Sequence, residues 1–261
     1  MHPYINAWLE PLITFIYPTK CRRCDEPMRV SRLHYICDDC WEQIEYLTPP
    51  WCQICGMPHQ FQDDATASVG NALVCPDCDA RPPLYDRLRA IAFYEPTLRE
   101  VIHLFKYGRK PVFAKHFRQL IEAHFPTDLS ADTYDFLLPV PLHRNRLRNR
   151  GFNQSEQIAK GIAKFCNVPV RTDILRRTKD TERQSRLTSA RERVDNIRDA
   201  FDVRVPDVIR DRSLLLVDDI FTTGTTVNEI LKVLKIAGAA RVDVLVLARV
   251  RLPAQRAGPS L

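Results

Sequence analysis

Between residues 85 and 250 the apolar positions follow two rhythms. Short, nearly continuous apolar runs mark buried strands: LRAIAFYE from Leu88, YDFLLPV from Tyr134, RSLLLVDDI from Arg212 and RVDVLVLARV from Arg241. Between them a helical spacing takes over. PTLREVIHLFKYG puts Leu98, Val101, Ile102 and Phe105 on one face before Gly108, SEQIAKGIAKFC reads as a helix capped by Ser155, and TTVNEILKVLKIAG turns Val227, Ile230, Leu231 and Leu234 inward. Strand, helix and strand of these lengths make a right-handed crossover unit, so residues 85–250 are expected to form an α/β domain around a parallel sheet.

The flanks read differently. Tyr4, Ile5, Trp8, Leu9, Leu12, Ile13 and Ile16 suggest a short amphipathic helix over residues 1–17, kinked around Pro11. FQDDATASVGNA, residues 61–72, is small and polar and reads as a loop, RPPLYDR as an ordered junction, and residues 251–261 as a flexible tail. No apolar run reaches 18 residues, and the amino-terminal stretch lacks the basic start of a secretory leader. A soluble, cytoplasmic protein without membrane insertion is expected.

Eight of the nine cysteines form four Cys-x-x-Cys pairs within residues 18–80: Cys21 and Cys24, Cys37 and Cys40, Cys52 and Cys55, Cys75 and Cys78. Two intervening residues let one tight turn aim both sulfurs at a metal about 2.3 Å away, and two such turns complete a tetrahedron. Two structural zinc ions fit this count better than an iron–sulfur cluster, redox thiols or a disulfide scaffold. The spacing allows either sequential or cross-braced grouping. An all-thiolate shell leaves no open position for a reacting water, so the metal should hold structure and perform no chemistry. Cys166 has no neighbouring partner and reads as a buried thiol.

With 261 residues and 45% hydrophobic content, the chain can bury one ordinary core beside a small module. Its formal charge of +6 falls to about +2 once eight thiolates hold two zinc ions, which weakens any argument from total charge. The distribution says more. Residues 141–200 carry fifteen Lys or Arg against seven Asp or Glu, a local +8, so a phosphate-rich ligand or polyanion is expected there.

The strand Leu214 to Val217 runs into Asp218 and Asp219, expected to emerge at its carboxyl end, where α/β sheets bind ligands. Thr222, Thr223, Gly224, Thr225 and Thr226 then turn into a helix. Their backbone N–H groups and hydroxyls make a cradle for one phosphate, and Gly224 lets the backbone approach closely. Two carboxylates beside such a cradle would repel the same anion. They suit a sugar diol or a magnesium hydration shell instead. The lysine of a Walker loop is missing.

VDDIFTTGTT resembles the phosphoribosyl-diphosphate signature of type I phosphoribosyltransferases. Together with the cysteine pairs, FKYGRK, LLPVPLHRNRLRNRGFNQ and RRTKDTERQSRLTSARERVDNIRDAF, it makes residues 18–249 similar to the ComF/GntX family, associated with DNA uptake in competence and with DNA utilisation. The resemblance implies a double zinc ribbon over residues 18–80. Behind it stands a type I phosphoribosyltransferase-like parallel sheet flanked by helices, with residues 141–200 as a basic loop or hood. It implies that Asp218 and Asp219 bind the ribose hydroxyls and associated magnesium, with Asp219 nearest the developing positive charge, and that Thr222 to Thr226 hold the 5-phosphate. Pro139 to Arg144 resembles the pyrophosphate loop, with Arg144, Arg146 and Lys106 supplying charge; of His103, His116, His124 and His143, only His143 falls in that loop. Arg150 to Gln154, and the stretch around Arg177, Gln184, Arg186 and Arg191, carry no transferable chemical role. The implied partners are phosphoribosyl diphosphate, single-stranded DNA, and DNA-uptake or helicase-like proteins. Two readings follow: a magnesium-dependent transferase of unknown acceptor, or a non-enzymatic factor that binds single-stranded DNA or scaffolds proteins in response to the same ligand. In the second, Trp41 and Trp51 offer stacking surfaces.

Overall fold

The computed structural model of the chain describes residues 20–28, 35–58, 73–107, 113–180 and 197–251. The helix expected over residues 1–17, the loop 61–72, Gly108, Gln184, Arg186, Arg191 and the tail beyond Arg251 lie outside them.

Two short helices, α1 (Asp38–Glu42) and α2 (Pro76–Ala80), precede strand β1 (Arg87–Phe93) and helices α3 (Pro96–Tyr107) and α4 (Phe113–Ala123). Strand β2 (Phe136–Pro139), helices α5 (Arg144–Arg150) and α6 (Gln154–Cys166), and an antiparallel ribbon of β3 (Leu175–Arg177) with β4 (Phe201–Val203) follow. After α7 (Pro206–Ile209) come β5 (Ser213–Phe221), α8 (Thr225–Ile236) and β6 (Arg241–Arg249). The sheet is parallel, in the order β1, β6, β5, β2. This is the parallel sheet flanked by helices expected from the strand and helix pattern. Helix α4 was not among the expected elements, although Phe113, Phe117, Leu120 and Ile121 bury one face at helical spacing.

The sheet separates two cores. On one side Leu215, Val217 and Leu245 pack with Ile102 and Phe105 of α3, Phe117 of α4 and Ile158 and Ile162 of α6. On the other, Leu214, Leu216 and Val244 pack with Val227, Ile230, Leu231 and Leu234 of α8, the four residues whose spacing pointed inward.

The cysteine-rich segment is built into both cores. Cys21, Met28, Ile36, Cys40 and Ile44 join the first, and Cys52, Cys55, Met57 and Cys78 join the second. It also covers the exposed edge of β1: Leu47 N–H donates to Ile91 O, Phe93 N–H to Glu45 O, and Leu88 N–H to Ile54 O. An uncovered edge would be a template for another strand. Arg89, 1% exposed on β1, fastens this contact with bonds to Gln53 O at 2.8 Å and to the carboxylate of Asp128 at 2.9 and 3.0 Å.

Residues 20–28 and 51–58 repeat one design. In each, the first cysteine N–H bonds back across the turn, Cys21 to Glu26 O and Cys52 to Met57 O, and an antiparallel bridge closes it, Lys20 to Pro27 and Trp51 to Pro58. The residue after the second cysteine is left-handed in both, Asp25 at φ 65° and Gly56 at φ 67°. Only the second position demands glycine on space as well as angle, because a Cβ on Gly56 would lie 2.5 Å from Leu88 O.

One irregularity crosses three strands. The register passes from Ala90↔Val246 to Ala92↔Ala248, and from Asp218↔Val246 to Ile220↔Ala248, stepping over the row Ile91, Leu247, Asp219. Ile91 and Ala92 both join the first core, as do Leu247 and Ala248, where strict alternation would separate them. Asp219 therefore sits on a crease in the sheet.

Candidate active site and metal centres

The sequence placed Asp218 and Asp219 just beyond their strand. They lie instead inside β5, which stays paired with β6 as far as Phe221. The opening beside them comes from β2, whose pairing with β5 ends at Pro139↔Val217. A short neighbour, rather than the end of the strand itself, opens a cleft beside the acidic pair.

A cleft of about 560 Å³ opens there. Asp218 Oδ1 accepts from Ser155 Oγ at 2.8 Å and from Asp219 N–H at 2.8 Å. Asp219 is held from the opposite side by Lys106 Nζ at 2.9 Å. Arg146, Arg150 and Arg177 line the cleft with Lys106, so four cations face two carboxylates. Burial, with Arg146 close by, pushes the Arg177 guanidinium down to about 10, which leaves it charged at neutral pH.

Thr222 and Thr226 line the cleft at the start of α8. Gly224, at φ 75°, is the residue before the helix, and no side chain caps it. A Cβ on Gly224 would come within 2.8 Å of the Phe221 ring, so the turn needs glycine on both counts. Thr223 and Thr225 share a hydroxyl bond of 2.8 Å and do not line the cleft.

The expected cap of α6 moves by two residues. Asn153 caps it by accepting from Ser155 N–H, while its amide donates to Val140 O at 3.0 Å and so anchors the loop after β2. That frees the Ser155 hydroxyl for Asp218. Gln154 is 1% exposed and accepts from Arg150 Nη1 at 2.8 Å, which fixes its amide orientation; its Nε2 has no partner among the described residues. A buried donor lining a cleft is a group waiting for a ligand acceptor. The segment RGFNQS thus supplies Arg150, Gln154 and Ser155 to the site, a use that its small and polar residues before a helix hinted at but could not locate.

Arg144 does not join Arg146. Residues two apart on a helix point in different directions, and Arg144 faces a neighbouring cleft. His143 lines that second cleft too, with Nδ1 3.2 Å from Asp180, whereas His103 lines the first, 4.8 Å from the Tyr107 ring. His116 and His124 face a separate cavity beside Trp41. Cys166 is half-buried at the end of α6, and burial pushes its thiol up to about 11.

Burial and the charge of Asp219 raise the Asp218 carboxyl to about 7. In an unfolded chain the group titrates near 4. The folded protein therefore retains a proton that the unfolded chain loses, and stability falls as pH rises through that interval. Asparagine keeps the acceptor for Ser155 without the charge. Asp218→Asn is expected to raise the ligand-free melting midpoint by several degrees at pH 8, with a gain that grows from pH 5.5 to 7 and then levels off. Thermal melts across that range check it; a flat difference would mean that water already solvates the carboxylate.

The cysteines fall into two clusters, Cys21, Cys24, Cys37 and Cys40, then Cys52, Cys55, Cys75 and Cys78, with the sulfurs of each within 4.8 Å of one another. The grouping is sequential. No disulfide links them, and Cys24 to Cys37 and Cys55 to Cys75 are each 3.7 Å between sulfurs, matching the edge of about 3.8 Å of a tetrahedron with Zn–S bonds of about 2.3 Å. Cys37 N–H and Cys75 N–H donate at 3.3 Å to Cys21 and Cys52 Sγ, which favours the thiolate form. Both clusters fit structural zinc.

Fold and cleft define a phosphoribosyltransferase-type domain joined to a double zinc ribbon. Comparison with known proteins agrees: a double zinc ribbon domain matches residues 12–79 and a phosphoribosyl transferase domain matches residues 148–258. The chain is 32% identical over 236 residues to the DNA utilization protein YhgH of Escherichia coli (strain K12), covering 89% of this chain and 97% of that one. It is 28% identical over 236 residues to competence protein F of Haemophilus influenzae, covering 88% and 96%. The chain belongs to the ComF/GntX family. A hypoxanthine phosphoribosyltransferase structure from Staphylococcus aureus is similar at 14% identity and a TM-score of 0.33, over 58% of this chain and 70% of that one, too loosely to carry an argument. No helix among the described residues is long and apolar enough to cross a membrane.

Proposed function

We propose that the cleft binds phosphoribosyl diphosphate with magnesium and that the protein transfers the phosphoribosyl group to a nitrogen acceptor. The observation that carries this is one cleft with three chemically different walls. A threonine turn stands before α8, two carboxylates stand on β5, and arginines face them from α5 and β3. Each suits a different part of the ligand: the 5-phosphate, the ribose diol and the pyrophosphate.

Thr222 and Thr226, with the backbone of the Gly224 turn, take the 5-phosphate. Asp218 and Asp219 accept from the ribose hydroxyls, and their hard oxygens are also the donors that magnesium prefers. Magnesium, when bound, neutralises charge building on the leaving pyrophosphate. Arg146, Arg150 and Arg177 do the same from the protein side, and Gln154 Nε2 adds a donor. The C1–O bond to pyrophosphate breaks with its electron pair on oxygen, a C1–N bond forms, and the acceptor nitrogen loses a proton to water. Asp219 lies closest to the positive charge that develops on the sugar. Lys106 occupies Asp219 before the ligand arrives and then turns to the pyrophosphate.

The names of the relatives support a role in handling DNA, and two four-cysteine groups with the geometry of zinc ligands suit a reducing cytoplasm. Calorimetric titration with phosphoribosyl diphosphate, with and without magnesium, tests the reading. Binding that needs magnesium is expected; no heat in either condition would leave the cleft as scaffold.

A further inference from the structure

The second cleft, about 660 Å³, lies directly against the first and shares Leu142 and Arg177 with it. Its volume falls within the range of small-molecule sites. The two clefts are opposite sides of the same segments. From the end of β2 onward, Val140 faces the first cleft, Pro139, Pro141 and His143 face the second, and Leu142 lines both. On α5, Arg146 and Arg150 face the first and Arg144 and Leu147 the second.

The second cleft has an apolar floor and a basic rim. Pro139, Pro141, Leu142, Leu147 and Leu175 make the floor, and Leu147 is 42% exposed on it. Arg144, Arg176 and Arg204 rim it, with the shared Arg177 at the junction. Within that rim Arg176 is engaged by Asp202 at 2.7 Å, and the only carboxylate of the lining, Glu156, is engaged by Lys160 at 2.6 Å. Among the described residues no carboxylate pairs with Arg144, and Arg204 feels only the charge of Asp173, which Arg171 already holds at 2.7 Å. Guanidinium groups without a carboxylate of their own, set over an apolar floor, match a planar base or sugar carrying a phosphate.

We propose that this second cleft binds a nucleotide unit, its phosphate on Arg144 and Arg204 and its less polar part on the Leu147 floor. Given the reading of the first cleft as the phosphoribosyl-donor site, this makes a phosphate-bearing nucleotide the acceptor class. The unit can come from a free nucleotide or from a single nucleic-acid strand, since both present the same phosphate and base.

Titration of the whole protein with adenosine 5′-monophosphate and, separately, with a ten-residue oligothymidylate tests this. Both are repeated on Arg204→Glu and Leu147→Glu, with phosphoribosyl diphosphate titrated in parallel. At least one nucleotide probe is expected to bind, and both variants to weaken it at least tenfold while changing phosphoribosyl-diphosphate affinity less than twofold. Binding of the mononucleotide would assign the cleft to free nucleotides; binding of the oligonucleotide alone would assign it to a strand. Neither probe binding, or binding that both variants leave unchanged, overturns the subsite. Loss of nucleotide binding in the variants of a protein that ignores phosphoribosyl diphosphate would keep the subsite and remove the donor reading.

Discussion

Replacing Asp218 and Asp219 together with asparagine is expected to lower magnesium-dependent affinity for phosphoribosyl diphosphate by about 100-fold or more, while zinc content and fold survive. Each carboxylate that accepts from a hydroxyl contributes on the order of 1.5–3 kcal/mol, so two of them span about 3–6 kcal/mol. The fold should tolerate the change because Asp218 is already strained by burial and by its neighbour, as its raised carboxyl shows. The Asp219→Asn half of the change leaves Lys106 without its present partner at 2.9 Å, and that cost offsets part of the relief at position 218. Calorimetry on the double variant reads the affinity, and atomic absorption with circular dichroism reads metal and fold. Unchanged affinity would remove the acidic pair from the site.

Metal loss should act on the whole chain. Binding of structural zinc supplies roughly 10–16 kcal/mol, comparable to or larger than the net stability of an ordinary domain at about 5–15 kcal/mol. Here each cluster also packs into a core of the sheet, Cys21 and Cys40 into one and Cys52, Cys55 and Cys78 into the other. Cys52→Ser is expected to yield protein with one zinc fewer that is unfolded or insoluble. A chelator should release zinc in two phases. The Cys21 cluster empties first, because Cys24 is exposed whereas the second cluster has three buried members. A colorimetric zinc indicator followed beside tryptophan fluorescence checks both points. Release of both ions from a protein that keeps its native melting transition would show the ribbons to be ornaments on an independent domain.

The local rules written in the chain reached far. Apolar runs located all four strands of the main sheet, the helical spacing of Val227, Ile230, Leu231 and Leu234 identified the buried face of α8, and paired cysteines counted two tetrahedral sites. Each depends on near neighbours along the chain, where period and spacing carry the physics. Gly224 was legible for the same reason, since its turn is decided within a few residues.

What escaped the sequence depends on groups far apart in it. Lys106 meets Asp219 across 113 positions and Ser155 meets Asp218 across 63, and nothing local announces either pair. The division of Arg144 and Arg146 between two clefts follows from a seven-residue helix that buries none of its residues, so no apolar stripe marked it. The sequence by itself determined the four strands of the main sheet, the buried face of α8 and the two groups of paired cysteines. Tertiary structure alone decided that β2 stops short of β5, that the zinc ribbons straddle the sheet, and which charges face which cleft, because those outcomes are set by packing between segments rather than by the pattern within one.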